Sequence, residues 1–424
     1  MNKFKIGNYF TIYNITTGFV IAILSSLFIY LEYVNFTYFF INTIIGLMAI
    51  YWLLWANRMI WFWSGLFIGL LWFWWISLSF IHYEMPIFMP FVIISIALIY
   101  GITFLLLFKI AHFFTNRLEI SEIYGKAIIL FLFSYIHPIE FDWFKPELMF
   151  TNSYLGIEKW QFAIILSALA LTQIKKNIIF LTLLILAYPF ITPFTLQKLE
   201  NIKLISTYTT IEDKWNEQKQ PTHMKAVFNE INLAIAQKKE VIVFPESVFP
   251  LFINLQPQLM DALKKLSKDI TIVAGALYWE PTKNIPRNSA FIFKNGDVMV
   301  AHKVLLVPFG EQNPLPNFMS KWVNEFFFDG AKDYIASSDI SDYEINGTKY
   351  RNAICFEATS EKLYENSPKA MIAMSNNGWF VPSIEPTLQQ ILFQYYSKKY
   401  GTTIYHSVNM SKSYIVQNGK VIYP

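Results

Sequence analysis

Long apolar runs crowd the first half of the chain and disappear from the second. Segments near 8–30, 36–55, 60–81, 87–111, 124–139, 159–174 and 177–196 are predominantly apolar. A bilayer core about 30 Å thick takes about 20 such residues per helix, so the pattern predicts about seven spanning helices. The fifth and sixth are short, and Phe150 to Trp160 reads as an interfacial or re-entrant piece. No small-residue cleavage site follows the first run, which predicts a retained helix rather than a signal peptide. From Asn201 onward, short apolar runs alternate with polar helical stretches. Strands are expected at Ile202–Thr207, Val241–Phe244, Ile270–Leu277, Ala290–Phe293, Val298–His302, Arg351–Phe356 and Met371–Ser375, with a strand-like Ser413–Tyr423 at the end. Helices are expected at Met224–Gln237 and Leu259–Leu266. This alternation, with the hairpin signal Lys294-Asn295-Gly296-Asp297, predicts an α/β domain with a mixed sheet. The expected division is a transmembrane helical bundle over 1–196 and a second domain over 201–424.

Charge sharpens the division. The 424 residues include 34 basic and 30 acidic side chains, of which 20 fall in residues 1–200 and 44 after them. The basic loops alternate as well. Lys3 and Lys5, then Arg58, then Lys109, Arg117 and Lys126, then Lys175 and Lys176 fall on one side. The other side carries Glu32, Glu84 and the mostly acidic stretch from Glu140 to Glu158. The excess of Lys and Arg on cytoplasmic loops puts the N-terminus inside and everything after residue 196 outside, on a periplasm-like face of an inner membrane. A net charge of +4 without a long basic run gives no sign of a nucleic-acid partner. Tryptophans such as Trp61, Trp63, Trp72, Trp74 and Trp75, with His82 and His137, read as interfacial and packing residues. The spans hold almost no ionisable residues, which argues against a transporter and for a lipid-facing platform.

Cys355 is the single cysteine, so an intrachain disulfide is impossible and no cysteine-based metal site can form. The six histidines lack ligand spacing, and neither a metal nor another cofactor is expected.

Three motifs end predicted strands, where α/β folds gather their chemistry. Val-Ile-Val-Phe-Pro-Glu-Ser presents Glu246, a general base if partly desolvated and otherwise a cap or surface ion pair. His-Lys-Val-Leu-Leu-Val-Pro-Phe-Gly-Glu presents Lys303 and Glu311. A fixed ammonium stabilises a developing oxyanion, although most lysines are simply solvated. Asn-Ala-Ile-Cys-Phe-Glu presents Cys355, a nucleophile when a neighbouring cation and base favour the thiolate and otherwise a small buried side chain.

In this order, F-P-E-S, H-K-x-x-L-V-P-F-G-E and I-C-F-E resemble the Glu–Lys–Cys triad of the nitrilase superfamily. Preceded by seven apolar segments and followed by S-N-N-G-W-F, they resemble its membrane-anchored branch, the apolipoprotein N-acyltransferases. The resemblance implies an α-β-β-α sandwich joined to a membrane helix bundle. It implies a ping-pong reaction in which Cys355 takes an acyl chain from the sn-1 position of a phospholipid. The resulting thioester passes the chain to the α-amine of diacylglyceryl-cysteine in a diacylated apolipoprotein. Membrane lipid is then a partner as well as a substrate.

By matching motif positions, the resemblance makes Glu246 the base. Lys303 and the backbone N–H of Phe356 hold the oxyanion, and Glu311 and Glu357 orient Lys303 and the pocket. Trp215, in Asp-Lys-Trp-Asn, falls where the family has a lysine–tryptophan pair, and Trp379 in the G-W-F turn either lines the acyl pocket or packs beneath it. Phe318, Trp322 and Phe326 to Phe328, within Pro314–Phe328, suggest a lid dipping into lipid or a small satellite core. The chain departs from the family in ending at Pro424 without a further membrane helix, and in lacking the family's usual charged residues in Leu388–Tyr400. The same triad serves a membrane-tethered amidase, and a degenerate domain acting as a lipid sensor is the non-enzymatic alternative.

Overall fold

The computed structural model describes residues 11–136, 141–189, 201–308, 310–312 and 334–423. The chain forms two compact units. One comprises Met1–His137, Phe144–Pro193 and Phe380–Ile391, the other Pro138–Trp143, Phe194–Trp379 and Leu392–Pro424. The segment Pro314–Phe328 and His137 lie outside the described residues.

In the first unit the helices are α1 (Ile12–Tyr33), α2 (Phe39–Trp55), α3 (Arg58–Phe73), α4 (Ser79–His82), α5 (Met89–Leu118), α6 (Glu122–Phe133) and α7 (Lys159–Lys175). Among the described residues, three stretches are long and apolar enough to cross a bilayer, namely Ile12–Tyr33, Arg58–His82 and Pro86–Leu118. Lipid is as apolar as leucine, so such helices gain little from the hydrophobic effect and associate through close packing at small residues. Gly65 shows this where α3 crosses α5. A Cβ there would come within 2.5 Å of the Tyr100 carbonyl oxygen and 2.6 Å of Phe104 Cβ.

The apolar runs and the observed helices differ in three places, the third run breaking into 3₁₀ turns at Trp74–Leu78 before α4. At 12 residues, α6 rises only about 18 Å, short of a bilayer core. The described part of the seventh run forms 3₁₀ turns over Ile178–Ala187 instead of an α-helix. Tyr188 is extended, the backbone that a following proline favours.

Ionisable groups are also more deeply placed than the sequence suggests. Lys126, Lys145 and Glu147 are buried. Lys126 Nζ donates to the carbonyls of Leu54 (3.2 Å) and Ala56 (2.7 Å), satisfying acceptors that the end of α2 leaves open. Glu147 pairs with Lys159 at 2.5 Å. The stretch Pro146–Phe150 is a buried 3₁₀ segment. Non-helical backbone is tolerated at such depth when protein surrounds it.

The second unit contains two six-stranded sheets. In the first, β1 (Ile202–Leu204), β2 (Val241–Val243), β3 (Phe249–Phe252) and β4 (Thr271–Glu280) pair in parallel. There β4, β5 (Ile285–Lys294) and β6 (Asp297–His302) pair antiparallel. The second sheet runs β7 (Asp342–Ile345), β8 (Thr348–Ile354), β9 (Ala370–Asn376), β10 (Thr403–Asn409), β11 (Tyr414–Gln417) and β12 (Lys420–Ile422), with β8, β9 and β10 parallel. The helices are α8 (Ile211–Trp215), α9 (Gln220–Ala236), α10 (Pro257–Leu266) and α11 (Glu385–Tyr400), whose last part belongs to this unit. At the β5–β6 turn, Asn295 and Gly296 both have positive φ (53° and 86°), the backbone that a tight hairpin demands.

Strand alternation builds two cores. Val241, Val243 and Val273 face inward and join Ile354, Ile372, Met374 and Tyr405 of the second sheet. Their neighbours Ile242, Ile272 and Ala274 face outward, under Val227 and Ile231 of α9 and Leu263 of α10. On the far side, Phe393 of α11 meets His406 at 4.9 Å and Tyr414 at 6.3 Å between ring centroids. The result is the α-β-β-α sandwich. Ile242 is fully buried in this outer core. Ile242→Ala is therefore expected to cost about 2–5 kcal/mol, read as a fall in the thermal unfolding temperature of the purified protein.

Candidate active site

Three strand exits carry the candidate groups. After β2, Pro245 and Glu246 turn away with Ser247 at φ 50°. That turn lies against β4 at Gly275. A Cβ there would fall 2.6 Å from Ser247 N, 2.7 Å from Glu246 Cα and 2.9 Å from the Pro245 oxygen. Only glycine permits the approach.

After β6, the Lys303 backbone is pinned on both sides. Its N–H donates to the Asn288 carbonyl at 3.0 Å, and its carbonyl accepts from Ser337 N–H at 2.8 Å. After β8, Cys355 has φ 55° and starts a 3₁₀ turn, Cys355–Thr359. A non-glycine residue in this region is strained and needs its surroundings to hold it there.

The side chains of two of these exits converge. Lys303 is 1% exposed, and its Nζ lies 2.7 Å from Glu311 Oε2 and 3.7 Å from Glu246 Oε1. Asn288 Nδ2 bridges the two carboxylates, donating to Glu246 Oε1 at 2.7 Å and to Glu311 Oε1 at 2.8 Å. Val307 N–H donates to Glu311 Oε2 at 2.9 Å. Burial alone would push the Lys303 ammonium down. Glu311, Glu246 and the Cys355 thiolate outweigh it and hold the group above the usual lysine range. Cys355 is partly buried against the inter-sheet core.

Glu357 ties the Lys303 exit to the Cys355 exit. Its Oε2 accepts from the N–H groups of Val304 (2.7 Å) and Leu305 (3.2 Å), and its Oε1 from Ile354 N–H (2.7 Å). Burial pushes its carboxyl up to about 7, against the pull of Lys303 and those three N–H groups. Phe356 is buried and stacks on Phe141 at 6.1 Å.

The remaining sequence candidates lie differently. Trp215 is 43% exposed, and Trp379 is partly buried in the turn Asn377–Trp379. Beside Trp215 in sequence, Lys214 reaches the Glu246 turn. Lys214 is 4% exposed and donates to the Glu246 carbonyl at 3.2 Å. Burial pushes it down to about 8, opposed by Glu246 and Cys355. Sequence reasoning missed Lys214 and Asn288. The Lys-Trp pair was a signal for the first. Nothing in Pro-Arg-Asn-Ser marked the second.

A family model described as the apolipoprotein N-acyltransferase integral membrane domain matches residues 12–210. A curated relative from Wolinella succinogenes, named apolipoprotein N-acyltransferase, is 39% identical over 93% of this chain and 94% of its own. The chain belongs to the apolipoprotein N-acyltransferase family. A family member from Campylobacter jejuni is 33% identical over 99% of this chain and 93% of its own. Among solved structures, a CN-hydrolase superfamily protein from Xanthomonas campestris matches 52% of this chain and 83% of its own, at 12% identity and a TM-score of 0.39.

Two outcomes are expected from this geometry. Gly275→Ala pushes on backbone atoms of the Glu246 turn, and a misplacement of about 1 Å costs on the order of a hundredfold in rate. Acyl-transfer assays should show that loss with the protein still folded. For Lys214, the folded-state value of about 8 lies below the ordinary 10.5, so the unfolded chain binds more protons between them. Stability contributed by this group therefore rises with pH across that window. Thermal unfolding at pH 8 and pH 10 should show the rise in the parent and lose that component in Lys214→Met.

Proposed function

We propose that the chain transfers a fatty acyl group from a phospholipid to the N-terminal amine of diacylglyceryl-cysteine in apolipoproteins, through a thioester on Cys355. In this reading residues 1–196 are the membrane bundle and 201–424 the catalytic domain, on the periplasmic side of the inner membrane. The observation that carries it is the chain of contacts from Glu246 through Asn288 to Glu311 and Lys303, at 2.7, 2.8 and 2.7 Å. It supplies a base and a buried cation beside the strand exit that bears the nucleophile.

Glu246 takes the Cys355 thiol proton, and Sγ attacks the phospholipid ester carbonyl. The tetrahedral oxyanion is held by Lys303 and the Phe356 N–H, an electrostatic role that is strong in a dry site. Lys303 suits this role because it is a buried cation held in place by Glu311 at 2.7 Å and Glu246 at 3.7 Å. Collapse expels the lysophospholipid oxygen, which takes the proton back from Glu246 and leaves the thioester. The acceptor amine then attacks that carbonyl and gives its proton to Glu246. The amide product leaves as Cys355 departs as thiolate. Glu311 and Glu357 position Lys303 and the Cys355 turn, while Trp215 and Trp379 contact the substrates.

Both substrates are lipids. Drawing an acyl chain into water costs about 0.8 kcal/mol per CH₂, and one chain carrying both spanning helices and catalyst avoids that cost. Incubation of purified protein with phospholipid should add one acyl mass to Cys355, absent from Cys355→Ala and strongly reduced in Glu246→Gln. A diacylated lipopeptide should discharge it as N-acyl product. Release of free fatty acid alone would assign the site to a hydrolase, and a parent without adduct would defeat the proposal.

A further inference from the structure

Two residues from the first half of the chain reach the turn that carries Cys355. Phe141, Asp142 and Trp143 fall between apolar runs of the sequence, yet they belong to the second unit. Asp142 is buried. Its Oδ2 accepts from the Glu361 N–H at 2.8 Å, from the Ser360 hydroxyl at 3.2 Å and from the Tyr396 hydroxyl at 3.5 Å. Beside it, the Phe141 ring lies parallel to that of Phe356 (6.1 Å, 17°) and to that of Trp143 (6.2 Å, 15°). We propose that Phe141 and Asp142 are positioning residues for acyl transfer, an inference that rests on the thioester reading of Cys355. They hold the turn Cys355–Thr359 so that the Phe356 N–H stays aimed at the oxyanion.

The turn needs holding at both ends. Cys355 starts it at φ 55°, a backbone that relaxes unless its surroundings fix it. Before it, Glu357 grips the Ile354 N–H at 2.7 Å. Beyond it, Ser360 is extended (φ −97°, ψ 138°), and a second short 3₁₀ turn follows at Glu361–Tyr364. The first N–H groups of such a turn have no partner within it. Asp142 takes the first of them and the Ser360 hydroxyl together, so the junction of the two turns is tied to one carboxylate.

The contacts then close into a ring. The Tyr396 hydroxyl that reaches Asp142 belongs to a side chain stacked on Tyr364 at 4.4 Å and 15°. The Tyr364 hydroxyl donates to the Ala358 carbonyl at 2.8 Å, and the Thr359 hydroxyl to the Phe356 carbonyl at 2.7 Å. Phe141 bears on the same residue from its side chain. An oxyanion donor works only within a few tenths of an ångström of its ideal distance. Burying a carboxylate is unfavourable unless hydrogen bonds compensate it, and here those bonds all converge on the end of the turn.

The test uses full-length protein in detergent and two reactions of one sulfur. With a p-nitrophenyl acyl ester, Cys355 gives its proton to Glu246 and attacks the carbonyl. A tetrahedral oxyanion forms, then collapses to the thioester as p-nitrophenolate leaves. With iodoacetamide the same sulfur displaces iodide and forms no oxyanion. Asp142→Ala should slow the first-turnover burst of p-nitrophenolate on the order of ten- to a hundredfold. Its alkylation rate and the pH midpoint of alkylation should stay as in the parent. Phe141→Leu keeps Asp142 and should slow the burst less. Asp142→Asn still accepts from the Glu361 N–H and should recover most of it. Parent-like bursts in folded Asp142→Ala and Phe141→Leu overturn the proposal. An equal fall in burst and alkylation overturns it too, assigning both residues to folding alone. Because the ester replaces phospholipid, a slowed burst supports the inference even where phospholipid leaves no adduct. A parent without a burst overturns both this inference and the thioester reading.

Discussion

A lysine ammonium enclosed almost completely by protein is the constraint around which the catalytic unit is arranged. An isolated charge at that depth costs several kcal/mol, so Lys303 requires partners fixed in place before any substrate arrives. Glu311 and Glu246 supply the charge, and Asn288 fixes the two carboxylates relative to each other. Removing one partner alone leaves a buried charge uncompensated. For that reason the turn after β2, the strand β5 and the exit of β6 form a single structural problem with a single solution.

The same logic explains the bracing around it. Glu357 is an expensive buried carboxylate, yet it joins backbone from the ends of β6 and β8 with three N–H contacts. It thereby fixes the lysine exit of one sheet to the cysteine exit of the other. Gly275 gives up a side chain so that the Glu246 turn can lie against β4. Lys214 adds a second cation behind Glu246. Each of these features sacrifices local stability for position, which is how a thiol, a base and an oxyanion partner are kept in register.

Much of the fold was legible because its physics is periodic. The apolar runs marked α1, α3 and α5, and alternation marked β2, β4, β5, β6, β8 and β9. Strand β10 escaped because it reads Thr-Ile-Tyr-His-Ser-Val-Asn. Its polar groups find partners inside the protein, His406 Nε2 at Ser375 and Ser407 at the carbonyls of Ile205 and Val243. The described part of the run at 177–196 misled in the opposite sense, since hydropathy does not distinguish 3₁₀ turns from a helix. Buried Lys126 and Glu147 were invisible because their partners are backbone carbonyls and a distant lysine. At the site, Glu246, Lys303 and Cys355 stood out because each follows a strand, and Glu311 because it shares the motif of Lys303. Asn288 lies within a strand and declares its role only through the two carboxylates it joins.

The central claim is that buried cations and a paired carboxylate make Cys355 a nucleophile. The most direct measurement is the rate of Cys355 alkylation by iodoacetamide against pH, in the parent and in Lys303→Gln. A free thiol ionises near pH 8.5, and neighbouring cations bring that value down. The account predicts a parent midpoint below 8.5 that moves upward in the variant. Two superposed profiles, both centred near 8.5, would contradict it.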